Sequence, residues 1–276
     1  MSSYDIMKDV MKYRKIDAHT HIGLSGSFDA DKQIDFADRL GIEKLQISKP
    51  ITNISGNEPE GPEQFRECNN FILKAMKQYP GRFIGFFTLN PIFQKESLEE
   101  IKRCVDLGMA GYKGYTQVKV NDPLYYPIIE KLISLNMICF MHAECQLGVG
   151  GYRMKYDIKE RPKATIPEDM VEVARRYPEA MFQWAHIASG DFEYICKSFK
   201  DYPNIYVDVS GSNNEEKQVD FCIEYLGEDR IFFGSDESYY QSVGKILASN
   251  TSEAQKKKIF FENYNNMLRK GGHNVA

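Results

Sequence analysis

The chain contains no uninterrupted apolar run close to the ~20 residues that span a bilayer, so the sequence offers no transmembrane helix. It also lacks an excess of either charge. Its 35 Lys and Arg stand against 39 Asp and Glu, and a net charge of −4 gives no electrostatic reason to expect nucleic acid or an anionic membrane as partner. A Cys-x-x-Cys pair is missing too. The six cysteines (Cys68, Cys104, Cys139, Cys145, Cys196 and Cys222) are scattered and read as free thiols, which makes a reducing cytoplasm the expected location. Residues 1–14 are polar and carry no apolar core of a secretory signal, in line with that expectation. No linker, repeat or low-complexity segment divides the sequence, so residues 1–276 are expected to form a single domain. Histidine is scarce, at five residues, which makes the placement of each one informative.

What is present is an alternation. Short apolar segments at 16–21, 44–48, 82–89, 110–115, 137–142, 181–186, 205–209 and 230–234 read as strands. Between them lie amphipathic stretches at 31–40, 63–78, 97–107, 123–135, 167–176, 191–198 and 217–226, with a last helix expected over 252–269. Alternating strand and helix implies parallel strands joined by right-handed crossovers. Several strands are apolar almost throughout, as Phe86-Phe87 shows, and a parallel sheet covered on both faces requires that pattern. Gly41, Pro80-Gly81, Gly108, Pro178, Pro203 and Gly227 punctuate the helix ends. Eight strand–helix units in a chain of this length predict an α/β fold, a single TIM-like (β/α)₈ barrel, ahead of an open doubly wound sheet. The long connections 50–62 and 144–166 fall on the strand-to-helix side, where barrel loops commonly cover an active site.

Four of the histidines sit at strand ends. His19 and His21 close the first strand at i and i+2, which puts both imidazoles on one face. His142 ends the fifth strand, His186 the sixth, Asp236 follows the eighth, and Lys113 lies on the fourth. His273, in a glycine-containing tail, stands apart. In a barrel the C-terminal strand ends converge on one face. Neutral imidazole with carboxylate suits Zn²⁺ and related divalent ions, so this arrangement points to a metal site. Taken singly, each residue has a plainer reading: a hydrogen-bonded core histidine, or an aspartate capping the next helix. Their joint placement outweighs those readings.

The chain resembles the amidohydrolase superfamily, and within it the amidohydrolase-2 branch that includes aminocarboxymuconate semialdehyde decarboxylase-like proteins. The resemblance runs from about residue 16 to residue 268. It rests on Asp17-Ala18-His19-Thr20-His21, Gly85-Phe86-Phe87-Thr88-Leu89-Asn90-Pro91, Met141-His142-Ala143-Glu144 and Ala185-His186-Ile187-Ala188-Ser189-Gly190. It continues through Val207-Asp208-Val209-Ser210 and Ile231-Phe232-Phe233-Gly234-Ser235-Asp236. The resemblance implies that His19, His21, His142 and Asp236 hold one divalent ion, usually zinc; Mn²⁺, Fe²⁺ and Co²⁺ also suit such donors. It implies that His186 contacts the bound water or substrate, or else joins Lys113 in holding a second ion, with Lys113 carboxylated as a bridge. A homodimer is a further implication. Two departures from the family pattern stand out: Glu237-Ser238-Tyr239-Tyr240 replaces a proline-containing turn, and Asn263-Tyr264 replaces Asn-Ala.

A bound ion lowers the pKa of its water to about 7. The leading expectation is therefore a metal-dependent hydrolase acting on an amide, ester or lactone of a small, carboxylate-bearing substrate, with Asp236 and His186 as catalytic residues. The alternative on the same scaffold is a non-oxidative decarboxylase or a hydratase; the residues named do not choose between them. For the substrate, the cationic stretch with Arg153, Lys155, Lys159, Arg161 and Lys163 reads either as a solvated basic loop or as a grip for a carboxylate, with Arg153 the best bidentate partner. Tyr115 and Glu144 are further candidate contacts, with Tyr112, Tyr239, Tyr240 and Glu237 nearby in sequence.

Overall fold

The computed structural model describes residues 5–24, 27–51, 60–143, 163–187, 191–211 and 217–273. Eight strands form one sheet in sequence order: β1 (Lys15–His21), β2 (Ile42–Ser48), β3 (Phe83–Phe87), β4 (Gly111–Gly114), β5 (Ile138–Met141), β6 (Met181–Trp184), β7 (Ile205–Asp208) and β8 (Ile231–Phe232). Each neighbouring pair from β1–β2 to β7–β8 is parallel. The chain following β8 then meets β1. Ala18 N donates to Phe233 O at 2.8 Å, and Ser235 N and Asp236 N donate to His19 O at 3.1 and 2.7 Å. These bonds draw the sheet into the predicted (β/α)₈ barrel and place Asp236 beside His19.

The strands are buried on both faces, which accounts for their unbroken apolar runs. Inside the barrel Ile16, Ala18, Ile84, Phe86, Ile138, Phe140 and Phe232 form a closed cluster. Outside, Leu45, Ile47, Phe87, Cys139, Phe182, Trp184 and Val207 pack under helical residues such as Phe65, Ile72, Ile101, Ile128 and Ile195. Glycines let these layers approach. A Cβ at Gly111 would sit 2.5 Å from the Phe86 ring, so this strand passes the inner aromatic cluster only without a side chain.

Two helices were not anticipated in the sequence. Ile6–Met11 is too short to show a clear apolar face, and it buries only Val10 while Ile6, Met7 and Met11 are exposed. Tyr239–Ala248 buries Ser242 and Lys245 beside Tyr239, Val243 and Ile246, so polar residues break its apolar spacing. Lys245 Nζ is satisfied there by donating to Val209 O at 2.7 Å. The final helical stretch is not one uniform helix: a π-helical turn at Lys258–Glu262 separates Glu253–Lys257 from Asn263–Lys270. That turn frees Ile259 O to accept from Phe233 N at 2.9 Å, tying the helix to the end of β8. Among the described residues no helix is long and apolar enough to cross a membrane.

One buried ion pair gives the shell a pH dependence. Glu100, fully buried in the helix Gln94–Asp106, accepts from Arg103 Nη2 at 2.6 Å and Asn69 Nδ2 at 3.0 Å. Burial pulls its carboxyl upward, but these bonds outweigh it and hold the pKa below the ordinary value. A depressed carboxylate contributes stability above its unfolded pKa and loses it as pH falls through the folded value. Glu100→Gln is expected to destabilise the protein by about 1–3 kcal/mol at pH 7. In thermal melts the difference from the unsubstituted protein should shrink as pH falls below the ordinary glutamate range; a difference independent of pH would contradict the assignment.

Candidate metal centre

The chemistry-bearing side chains gather at the C-terminal ends of the strands. β1 supplies His19 and His21. A register shift between Asp17 and Thr20 interrupts its regular pairing with β2. The irregularity lets Ala18 join the inner cluster while the His19 ring, one residue on, meets Phe140 in the same cluster at 4.6 Å. Asp17 Oδ1 instead accepts from His19 N at 3.0 Å and Ser235 N at 2.9 Å. Lys113 lies on β4, His142 directly follows β5, His186 lies two residues past β6, and Asp236 four residues past β8.

His186 and Asp236 have φ of 60° and 48°, and Glu237 follows at 65°. For residues other than glycine this left-handed conformation costs of order 1–3 kcal/mol and persists where the surroundings enforce it. Here it turns two side chains toward the barrel axis that regular strand geometry would not bring together. Sequence alternation gives no sign of it.

The resulting cluster is tight. His19 Nε2 lies 3.3 Å from His21 Nε2, 3.3 Å from Lys113 Nζ and 3.5 Å from Asp236 Oδ1. Asp236 Oδ1 is also 3.2 Å from His21 Nε2, while its Oδ2 is 3.3 Å from His186 Nδ1. Donor atoms of His19, His186 and Asp236 all fall within 4.8 Å of one another. His142 enters one step out, its Nδ1 3.1 Å from His186 Nε2. Tyr115 closes a side: its hydroxyl lies 3.3 Å from Ser48 Oγ and 3.5 Å from His21 Nδ1, and its ring stacks on His142 at 6.2 Å. The His19 side chain is fully buried, whereas that of Asp236 is 30% exposed, so the cluster is approached across Asp236.

The electrostatics suit a cation. Burial raises the Asp236 carboxyl, yet the surrounding His19, His186 and His21 outweigh that and hold it well below the carboxylate range. Burial, reinforced by Lys113, pushes His19 down to about 4, and burial with neighbouring His19 pushes His186 well below its ordinary value. Neutral imidazoles around an ionised carboxylate are a donor set for a divalent transition ion. Burial also pulls Lys113 down to about 7 against the opposing pull of Asp208 and Asp236. Its Nζ sits 3.5 Å over the Phe140 ring.

Arg153 and Glu144, like Lys155, Lys159 and Arg161, fall outside the described residues. Lys163 lines a cavity of about 480 Å³ with Gln117, Lys119 and Asn121, and none of the histidines borders it. Tyr239 turns away from the cluster, its hydroxyl bonding to Thr20 Oγ1 at 3.0 Å and to Gln33 Oε1. Glu237 accepts from Gln33 Nε2 at 3.4 Å. Asp208 and Ser210, to which no local sequence pattern assigns a role, lie against His19 Nδ1 at 3.2 Å each. Their position at the end of a strand was the available signal.

A family model described as amidohydrolase matches residues 16–263. The chain belongs to the amidohydrolase family. It is 22% identical to a 2-amino-3-carboxymuconate-6-semialdehyde decarboxylase of Dictyostelium discoideum, over 91% of this chain and 76% of that protein. It is 22% identical to a gamma-resorcylate decarboxylase of Rhizobium sp. (strain MTP-10005), over 88% of each. Its fold matches a dihydroxybenzoic acid decarboxylase of Polaromonas sp. JS666, crystallised with manganese and the inhibitor 2-nitroresorcinol. That match has a TM-score of 0.71 and 19% identity, over 93% of this chain and 97% of the other. These findings overturn the expectation of amide, ester or lactone hydrolysis, because the relatives matched along most of the chain are decarboxylases. The physical reason for the miss is that the same imidazole and carboxylate donors serve both reactions.

Proposed function

We propose that the chain is a metal-dependent, non-oxidative decarboxylase of a small aromatic or conjugated carboxylic acid, the whole chain acting as one barrel domain. The observation that carries this reading is the meeting of His19, His21, His186 and Asp236 at the open end of a barrel similar to decarboxylases over most of its length. His19, His21 and Asp236 would hold one divalent ion, with the imidazoles of His186 and His142 next to them. Zinc and manganese both suit these donors. When bound, the ion would supply positive charge that stabilises the anionic groups of the substrate. Lys113 is an uncarboxylated amine in this reading; among the described residues a single group of metal-capable donors converges, which favours one ion over two.

The reaction needs no redox partner. The bond from the ring or vinylic carbon to the carboxylate breaks, CO₂ leaves, and the electron pair left on carbon takes one proton. A proton taken up from solvent water by the pair Asp236 Oδ2 and His186 Nδ1, 3.3 Å apart, is passed to that carbon, which returns the pair to carboxylate and neutral imidazole. Tyr115 forms a wall beside His21 and His142, and Arg153 is a candidate to grip a second polar group of the substrate.

Hydroxylated benzoates offered to the metal-loaded protein in D₂O should release CO₂ and yield a product carrying one deuterium at the vacated carbon. Cleavage of esters, lactones or amides without CO₂ release across such a panel would overturn the reading. A second expectation concerns Gly234, just past β8. A Cβ there would lie 2.9 Å from Asp208 Cβ and 3.0 Å from His19 Cβ, so Asp208 must move and the support of His19 with it. Gly234→Ala should weaken ion binding by roughly 10–100-fold, the scale of disturbing a ligand's support. A competition titration with a chromophoric chelator measures it, and unchanged affinity would contradict the placement of His19.

A further inference from the structure

The two ring nitrogens of His19 face different worlds. Nε2 faces the donor cluster, while Nδ1 faces a fully buried carboxylate at the end of β7: Asp208 Oδ2 lies 3.2 Å away. That carboxylate is fixed from every side. Gln183 Nε2 donates to Oδ2 at 3.1 Å. Ser210 Oγ, Ser210 N and His186 N donate to Oδ1 at 2.5, 3.1 and 3.3 Å. Ser210 Oγ in turn lies 3.2 Å from Nδ1 of both His19 and His186.

A neutral imidazole has one N–H and one lone pair, and the partner at one nitrogen decides which nitrogen keeps the proton. A carboxylate only accepts. We propose that Asp208 is a positioning residue that holds the His19 proton on Nδ1, leaving the Nε2 lone pair aimed at the ion. Ser210 spends its own proton on Asp208, so its oxygen lone pairs face the two histidine Nδ1 atoms and couple the orientation of both rings to the same carboxylate. Gln183 ties the arrangement to β1 as well, donating to Ala18 O at 3.1 Å. The pre-set tautomer spares the site a proton rearrangement on ion entry. This inference rests on the ion site proposed above but not on the identity of the reaction.

The test reads tautomer and affinity rather than turnover. In the ¹⁵N-histidine-labelled, metal-free protein, the His19 signals, assigned by their loss in His19→Asn, should show Nδ1 protonated and Nε2 bare. An Nε2–H tautomer in that spectrum overturns the proposal without any Asp208 variant. Asp208→Asn, whose amide can present N–H to Nδ1, should move the proton toward Nε2 and weaken Zn²⁺ binding by roughly 10–100-fold in a chelator competition. Ser210→Ala, which leaves the carboxylate in place, should keep the Nδ1–H tautomer. Weakened binding in Asp208→Asn with an unchanged tautomer would assign Asp208 a purely structural role and overturn the proposal, as would unchanged affinity. If the protein binds Zn²⁺ with these signatures yet releases no CO₂, the decarboxylase reading fails and the role of Asp208 stands.

Discussion

Asp236→Asn is expected to lower turnover by roughly 10²–10⁴-fold, the range for losing a positioned acid–base group, while the barrel melts near its original temperature. The carboxylate is the point where the site's elements meet. One oxygen faces His19 and His21 from β1, and the other faces His186 beyond β6. Asparagine keeps the shape, so the left-handed turn at φ 48° survives, and Asn tolerates that region better than most residues. What disappears is the negative charge that the three imidazoles stabilise, and with it both a donor to the ion and a carrier of the proton. Circular dichroism melts and CO₂ release measured on one preparation check both halves. Activity within tenfold of the unsubstituted enzyme would remove Asp236 from the chemistry.

His19→Asn is expected to abolish stoichiometric ion binding and, with it, detectable CO₂ release. His19 is the hub of the cluster: its Nε2 lies within 3.5 Å of His21, Lys113 and Asp236, and its Nδ1 is tied to Asp208. No other imidazole occupies both positions. Stripping the unsubstituted protein with a chelator should give the same silence, reversed by zinc or manganese, whereas the variant should stay silent after either addition. Residual activity in the stripped protein, or rescue of the variant by metal, would contradict the role given to His19.

The barrel was legible because its physics repeats. Several strands are apolar on both faces and most helices on one, so eight alternations can be counted without knowing any contact. The candidate donors were legible for a related reason, since His19, His21, His142, His186 and Asp236 each close an apolar run. The geometry among them was not. The positive φ of His186 and Asp236 and the irregularity in β1 are responses to tertiary packing, and no local pattern encodes them. The helix Tyr239–Ala248 stayed hidden because Lys245 and Ser242 occupy buried positions that periodicity reserves for apolar residues. Asp208 stood in plain view at the end of β7, but an acceptor's importance depends on which nitrogen it faces, and that is settled only in three dimensions. Choosing decarboxylation over hydrolysis needed relatives, because one donor set supports both.

The most direct test of the proposed ion site is elemental analysis of protein purified without added metal or chelator, run beside His19→Asn. The account predicts one divalent ion, zinc or manganese, per chain in the unsubstituted protein and none in the variant. A metal-free protein that takes up no ion on later addition would contradict it. Two ions per chain would also contradict it and would return Lys113 to a bridging role.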